Sequence, residues 1–193
     1  MLKGLFKKKT PVEKFMAHLD RIFQTEPEYY KEESETNGIA GVTSIVYKDI
    51  PEQGMITGIT YGLSLGDHPD WKLGRPELII TVDSKDASWA QVAGYLANSL
   101  RGNCPFSYSN TINFREKISD ESEMDAFLVF APSILDKKDF ANIDIGLNYK
   151  INIAGLYPIY ASEMEYIDKN GLEKFWKHPN FDMYNVNRKR IKL

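Results

Sequence analysis

Little in this chain points to chemistry by a bound metal or cofactor. Cys104 is its only cysteine, so no disulfide can close within the chain and no thiolate cluster can hold zinc. The three histidines, His18, His68 and His178, are far apart in sequence. There is no G-x-x-x-x-G-K-[ST] and no G-x-G-x-x-G, so no glycine-rich loop cradles a phosphate. No apolar run is long enough to cross a bilayer. Charge of one sign is not in excess either: 24 basic against 27 acidic residues leave −3. That balance argues against a domain built on nucleic-acid backbones, which needs a clustered basic face. At the start of the chain Lys3, Lys7, Lys8 and Lys9 surround only Leu2, Leu5 and Phe6. A signal peptide needs a longer apolar region and a small-residue cleavage site, so the expected compartment is the cytoplasm.

Apolar and aromatic residues are plentiful, at 42% and 12% of the 193 residues, enough for one well-packed core. Thr10-Pro11-Val12-Glu13 is a helix start with a capping box and a proline in the first turn. Val12, Phe15, Met16, Leu19, Ile22 and Phe23 follow at helical spacing, and the helix should end before Pro27. An acidic connector with tyrosines, 26–35, leads to the Asn37-Gly38 turn. Residues 42–50, 56–65 and 78–82 read as strands; in the second, Ile59, Tyr61, Leu63 and Leu65 alternate with Thr60, Gly62 and Ser64. Ala87–Leu100 is a second helix, capped by Asp86 or Ser88 and ended by Arg101-Gly102. The segment 105–114 reads as a strand or extended arm. Residues 126–130 form a short buried strand, and 151–157 another that Pro158 ends. Two short helices, 162–168 and 172–177, flank Asn170-Gly171.

The links between the first three strands are too short for helical crossovers, so those strands should be antiparallel neighbours. The predicted class is α+β: a mixed, largely antiparallel sheet packed with helices in a single compact domain. The predicted domain runs over 11–180, between a basic N-terminal tail, 1–10, and a basic C-terminal tail, 181–193. The clusters Lys7-Lys8-Lys9 and Arg188-Lys189-Arg190 read as solvated ends rather than contacts to RNA or lipid.

Two motifs invite an enzymatic reading. Gly62-Leu63-Ser64-Leu65-Gly66 matches the G-x-S-x-G elbow of serine hydrolases. An elbow needs a strand, a sharp turn carrying the serine and then a helix. Here alternation runs through Ser64, and Gly66-Asp67-His68-Pro69 is a proline loop, so the expectation is no catalysis by Ser64. Asp67, His68 and Asp70 resemble a metal-ligand cluster, but a site needs three or four ligands and a partner for the histidine. The simpler reading is a turn shaped by the aspartates and Pro69. Trp71, in the same polar loop, either folds back onto the sheet or anchors a partner.

Three blocks carry a resemblance. The first is Tyr61–Ser84, whose loop ends in Gly74-Arg75-Pro76-Glu77-Leu78 and enters an apolar strand. The second is Ser88-Trp89-Ala90-Gln91-Val92-Ala93-Gly94-Tyr95-Leu96. The third is 151–176, with Gly155-Leu156-Tyr157-Pro158-Ile159, Glu163-Met164-Glu165-Tyr166 and Asn170-Gly171-Leu172-Glu173-Lys174-Phe175. Together they resemble the suppressor of fused domain family. The resemblance implies a protein-binding α+β domain without catalytic residues, cofactors or metals. Animal members restrain a transcription factor and carry an additional carboxy-terminal domain, so their two-lobed binding mode is not carried over. Short bacterial relatives look like immunity proteins that neutralise a cognate toxin, and a protein partner of that kind is the leading expectation. A regulatory module for another cytoplasmic protein is the alternative. Since loops on a rigid sheet usually carry recognition, Asp67, Asp70 and Trp71 are the candidate partner contacts.

Overall fold

The structure is a computed structural model that describes residues 8–192. Lys7 and the residues before it, part of the predicted basic tail, lie outside the described residues. Helix α1, Pro11–Phe23, starts as its sequence requires. The Glu13 amide donates to Thr10 Oγ1 at 3.3 Å, and Glu13 Oε2 accepts from the Thr10 amide at 2.6 Å. Among the described residues seven strands follow in one sheet: β1 (Glu28–Lys31), β2 (Thr43–Lys48), β3 (Ile56–Tyr61), β4 (Arg75–Val82), β5 (Thr111–Asn113), β6 (Ala126–Phe130) and β7 (Ile151–Ile159). Their order is β1-β2-β3-β4-β7-β6-β5. All neighbours are antiparallel except β4 and β7, which pair in parallel across a long crossover. The sheet is therefore mixed and largely antiparallel, as the short connections imply.

Helices cover both faces. Alternate residues of β4, Leu78, Ile80 and Val82, face α2 (Ser88–Leu100), where Trp89, Val92, Ala93 and Leu96 complete one core. Ile79 points the other way, to Phe15 and Leu19 of α1 and to Ile45, Ile59, Ile151 and Ile153. Further along that second face, Leu128, Tyr157 and Ile159 meet Ile167 of α4 (Ala161–Asn170) and Phe175 of α5 (Leu172–Trp176). A short α3, Lys137–Phe140, lies between β6 and β7 in the chain.

Helix and sheet backbones approach closely at Gly58. A Cβ there would lie 2.4 Å from the Ala90 carbonyl oxygen and 2.7 Å from its Cα, both backbone atoms that cannot rotate away. Gly58→Ala is expected to cost about 1–3 kcal/mol through overpacking, read as a lower urea midpoint. An unchanged midpoint would mean that α2 does not sit this tightly on β3.

Four sequence expectations change. The 26–35 connector contains β1. The strand 151–157 continues through Pro158 to Ile159. Pro158 is tolerated because β4 pairing stops at Leu156, and the Ile159 carbonyl faces β6, where it accepts from Asp125, so the proline nitrogen faces the vacated side. The 56–65 strand stops at Tyr61. The C-terminal basic segment is not wholly solvated: Val186, Arg188 and Ile191 are buried. Arg188 forms a bidentate pair with Glu163 at 2.7 and 2.6 Å, and Tyr160 Oη donates to the Arg188 carbonyl.

Candidate functional site

Glu77 organises the end of the sheet where β4 and β7 begin. Backbone pairing of β3 with β4 ends at Ile59 and Ile79. Beyond it side chains take over. Thr60 Oγ1 accepts from the Leu78 amide at 2.8 Å and donates to Glu77 Oε2 at 2.6 Å. Gly62 then turns to φ +130, a conformation that favours glycine, and Leu63–Leu65 form one 3₁₀ turn. This turn aims three successive amides at one carboxylate: Gly62 at 2.9, Leu63 at 3.3 and Ser64 at 3.0 Å from Glu77 oxygens. Such a nest of N–H groups is an anion site, and here the anion is the chain's own side chain. Ser64 Oγ adds a fifth bond at 2.6 Å. Glu77 is fully buried, and burial pushes its carboxyl above the ordinary range despite these donors.

The strand reading of Ser64 is thus corrected: the residue lies in a tight turn, because Glu77 competes successfully with the sheet for its amide. Ser64 is nonetheless 0% exposed, and its hydroxyl is committed to Glu77. It presents no nucleophile to a surface substrate.

Two arginines brace the turn. Arg101, at the end of α2, reaches back so that Nη1 donates to the Gly62 carbonyl at 2.9 Å and the Ala40 carbonyl at 2.8 Å. Its burial pulls the guanidinium below its ordinary value, while the Glu77 charge opposes that shift. Arg75 Nη1 donates to the Ser64 and Gly66 carbonyls, and its guanidinium lies over the Tyr149 ring at 4.2 Å.

The loop 66–74 projects from this braced base and brings Asp67, Asp70 and Trp71 to one rim. Asp67 is exposed, 3.5 Å from Arg75. The Asp70 amide donates to His68 Nδ1 at 3.1 Å, and the imidazole sits 5.8 Å from the indole of Trp71. These bonds describe a turn; among the described residues no three His, Cys, Asp or Glu side chains are placed to hold a metal. Trp71 is half-buried and donates Nε1 to the Pro105 carbonyl at 2.9 Å. It folds back, and in doing so becomes a wall.

That wall divides two open grooves. One, about 630 Å³, runs between the loop and 105–108, with Trp71, Pro76, Phe106, Tyr108 and Ala154 among its lining. The other, about 440 Å³, runs between the loop and Leu147–Lys150. Leu73 stands between them at 88% exposure, and Tyr108 and Leu147 are exposed beside it. The sequence reading singled out neither Leu73 nor Glu77. The signal for Leu73 is an apolar residue between Lys72 and Gly74 in an otherwise polar loop. The signal for Glu77 is a carboxylate abutting an apolar interior strand.

A family model described as suppressor of fused protein matches residues 36–189. The chain belongs to the suppressor of fused family. The matched span contains all three motif blocks, as well as Glu77, Arg101 and the loop between the grooves. Solved structures share the fold. A suppressor of fused homologue from Neisseria gonorrhoeae superposes with a TM-score of 0.72 at 14% identity, over 94% of this chain and 97% of that one. Drosophila suppressor of fused gives 0.65 at 12% identity, over 93% of this chain and 50% of that one. A chain of the Sufu–Fu complex gives 0.60 at 13% identity, over 95% and 92%. At these identities the likeness is one of fold. No curated protein sequence matches the chain significantly.

Proposed function

We propose that this suppressor of fused domain acts by stoichiometric protein binding through the loop 66–74, and that its role is to neutralise a cognate toxin as an immunity protein. The observation that carries the binding reading is Leu73, 88% exposed on a loop whose base is fixed by Glu77, Arg75 and Arg101. An apolar knob on a rigid mount loses little conformational freedom on docking, which favours affinity. Asp70, exposed on the same loop, offers a carboxylate to a basic cleft, and such complementarity speeds encounter. A toxin that grips nucleic acid has a cleft of that kind, and a plug in it would block substrate entry. Protein assembly in the family, as in the Sufu–Fu complex, supports the coarser reading.

The test is co-expression with the product of a neighbouring toxin-like gene in a sensitive host. Growth should be restored and a 1:1 complex should elute in size exclusion. Trp71→Ala, Leu73→Asp and Asp70→Lys should each weaken the purified complex about 10–100-fold while the thermal midpoints of Leu73→Asp and Asp70→Lys stay near wild type. A complex without protection would instead support a regulatory module. A complex indifferent to all three variants would show that the loop is the wrong surface.

A further inference from the structure

At the far edge of the sheet from β5, strand β1 leaves part of its backbone unpaired. Its ladder with β2 places Glu28 opposite Val46, Tyr29 opposite Ile45, Tyr30 opposite Ser44 and Lys31 opposite Thr43. The Glu32 amide continues that ladder, donating to the Val42 carbonyl at 2.8 Å. In an antiparallel pair, residues alternate between pointing their N–H and C=O at the partner and pointing them away. Glu32, Tyr30 and Glu28 therefore face β2, while Tyr29 and Lys31 turn two N–H and two C=O groups to the open edge. Among the described residues these groups have no partner. Pro27 precedes the strand, and after it the Glu33 carbonyl bends inward to accept from Asn98, so the open edge is confined to 28–32.

Around this edge the carboxylates Asp20, Glu26, Glu28 and Glu32 outnumber the cations, Lys48, which pairs with Glu28 at 2.5 Å, and Lys31, which shares the face of Tyr29. Glu28 and Glu32 lie on the face of Tyr30; on the other, Asp20, Gln24, Glu26 and Tyr29 line an open hollow of about 490 Å³. That hollow also adjoins the C-terminal end of α1, whose last carbonyls carry the negative end of the helix dipole. Tyr29, 58% exposed, offers an aromatic face to a cation. A second copy of this chain fits poorly: antiparallel pairing of two β1 edges about Tyr30 sets Glu28 of one copy against Glu32 of the other, a like-charge pair.

We propose that β1 is a docking edge for an extended, lysine- and arginine-rich segment of a protein partner, which adds an eighth strand to the sheet. The segment pairs its backbone with Tyr29 and Lys31, and its successive basic side chains, which point to opposite faces of the sheet, reach Glu32 on one face and Asp20 and Glu26 on the other. This inference shares with the proposed function only the premise of protein binding. It uses the β1 edge of the sheet rather than the end at which β4 and β7 begin, and its test needs no toxin.

The probe is a synthetic ten-residue peptide in which adjacent pairs of arginine or lysine are separated by single valine or threonine residues, so that basic side chains fall on both faces, titrated at low salt by fluorescence anisotropy. Binding should weaken with added salt. An otherwise identical peptide N-methylated on successive amides, so that neither edge can pair, should bind at least about tenfold more weakly, as should the glutamate version of the peptide. On the protein, Tyr29→Pro and Lys31→Pro each delete an outward amide without touching the β2 ladder. Each should lose about tenfold relative to the matching alanine variant, with circular dichroism confirming the fold. Glu26→Lys with Glu32→Lys should abolish most of the salt dependence. The proposal is overturned if the basic peptide does not bind, if N-methylation and both proline variants leave its affinity unchanged, or if the edge instead supports a homodimer that Tyr29→Pro dissociates. Retained peptide binding by Leu73→Asp is expected here, whereas loss of the toxin complex by the same variant tests the loop.

Discussion

Glu77→Gln should lower the unfolding free energy by about 2–3 kcal/mol, and Glu77→Ala should leave little folded protein. The carboxylate receives five bonds: three from consecutive backbone amides and two from the hydroxyls of Thr60 and Ser64. Glutamine keeps one accepting oxygen. If that oxygen stays with Gly62 and Ser64, the amide nitrogen opposes the Leu63 N–H and the Thr60 hydroxyl, two buried donors. A stranded buried donor costs about 1–3 kcal/mol. Alanine strands all five, a loss comparable with the whole net stability of about 5–15 kcal/mol of an ordinary domain. Urea unfolding measures the first variant and soluble yield the second. A loss under about 0.5 kcal/mol for glutamine, the level of an ordinary surface change, would mean that the nest does not hold the turn.

The same residue sets a pH dependence of definite sign. Burial raises the Glu77 carboxyl above its ordinary value of 4.5, so the folded state binds this proton more tightly than the unfolded chain. Its contribution is therefore fully present below 4.5 and is lost as pH rises through the raised folded value. Exposed carboxyls such as Glu13, Glu28 and Asp144, which are held low by their hydrogen-bond partners, act in the opposite direction. They are common to wild type and Glu77→Gln, so they cancel in the difference. The stability gap between the two proteins should widen as pH falls from neutral toward 4.5. A gap that narrows would place the Glu77 carboxyl below its ordinary value, with the five donors outweighing burial.

Periodicity made the core legible and the site only partly so. Val12 to Phe23 and Ser88 to Leu100 are helices because their apolar residues recur at helical spacing and their starts are capped within a few residues. The antiparallel order of β2, β3 and β4 follows from connections too short to cross over. What could not be read locally depends on partners distant in the chain. Tyr61 to Leu65 has the alternation of a strand, yet the residue that ends the strand is Glu77, thirteen positions beyond Ser64. Tyr29 and Tyr30 sit in a stretch too acidic to announce a strand, and β1 exists because β2 offers it a ladder. Asp67, Asp70 and Trp71 mark the loop in the sequence as a candidate contact surface. Its exposed apolar residue is Leu73, whereas Trp71 is half-buried with its indole N–H bound to the Pro105 carbonyl.

The C-terminal segment shows the same dependence, and it supports the second large effect. Arg188 lies within a basic run, where a solvated tail is the natural reading. In the fold its side chain is 2% exposed and its partner Glu163 is 0% exposed. Glu163 also accepts from the Ile191 amide at 2.8 Å and the Tyr160 amide at 3.1 Å, and the guanidinium lies 5.1 Å from the Phe181 ring centroid. One carboxylate thus ties the start of α4 to the last described turn of the chain. Arg188→Met should cost about 3–5 kcal/mol, because it leaves a buried carboxylate without its counter-ion. Adding Glu163→Gln removes that stranded charge while keeping an acceptor for Ile191. The double variant should therefore be more stable than Arg188→Met alone, and the thermal midpoints of the four proteins complete the cycle. If Arg188→Met cost under about 1 kcal/mol, the level of an exposed ion pair, the segment would be lying on the surface as its composition suggests. A cost in the larger range makes residues 184–191 part of the core. Removing them would then uncover Phe175 and Ile167, which share a core cluster with Ile191, so the basic end of the chain would be inseparable from the folding of the domain.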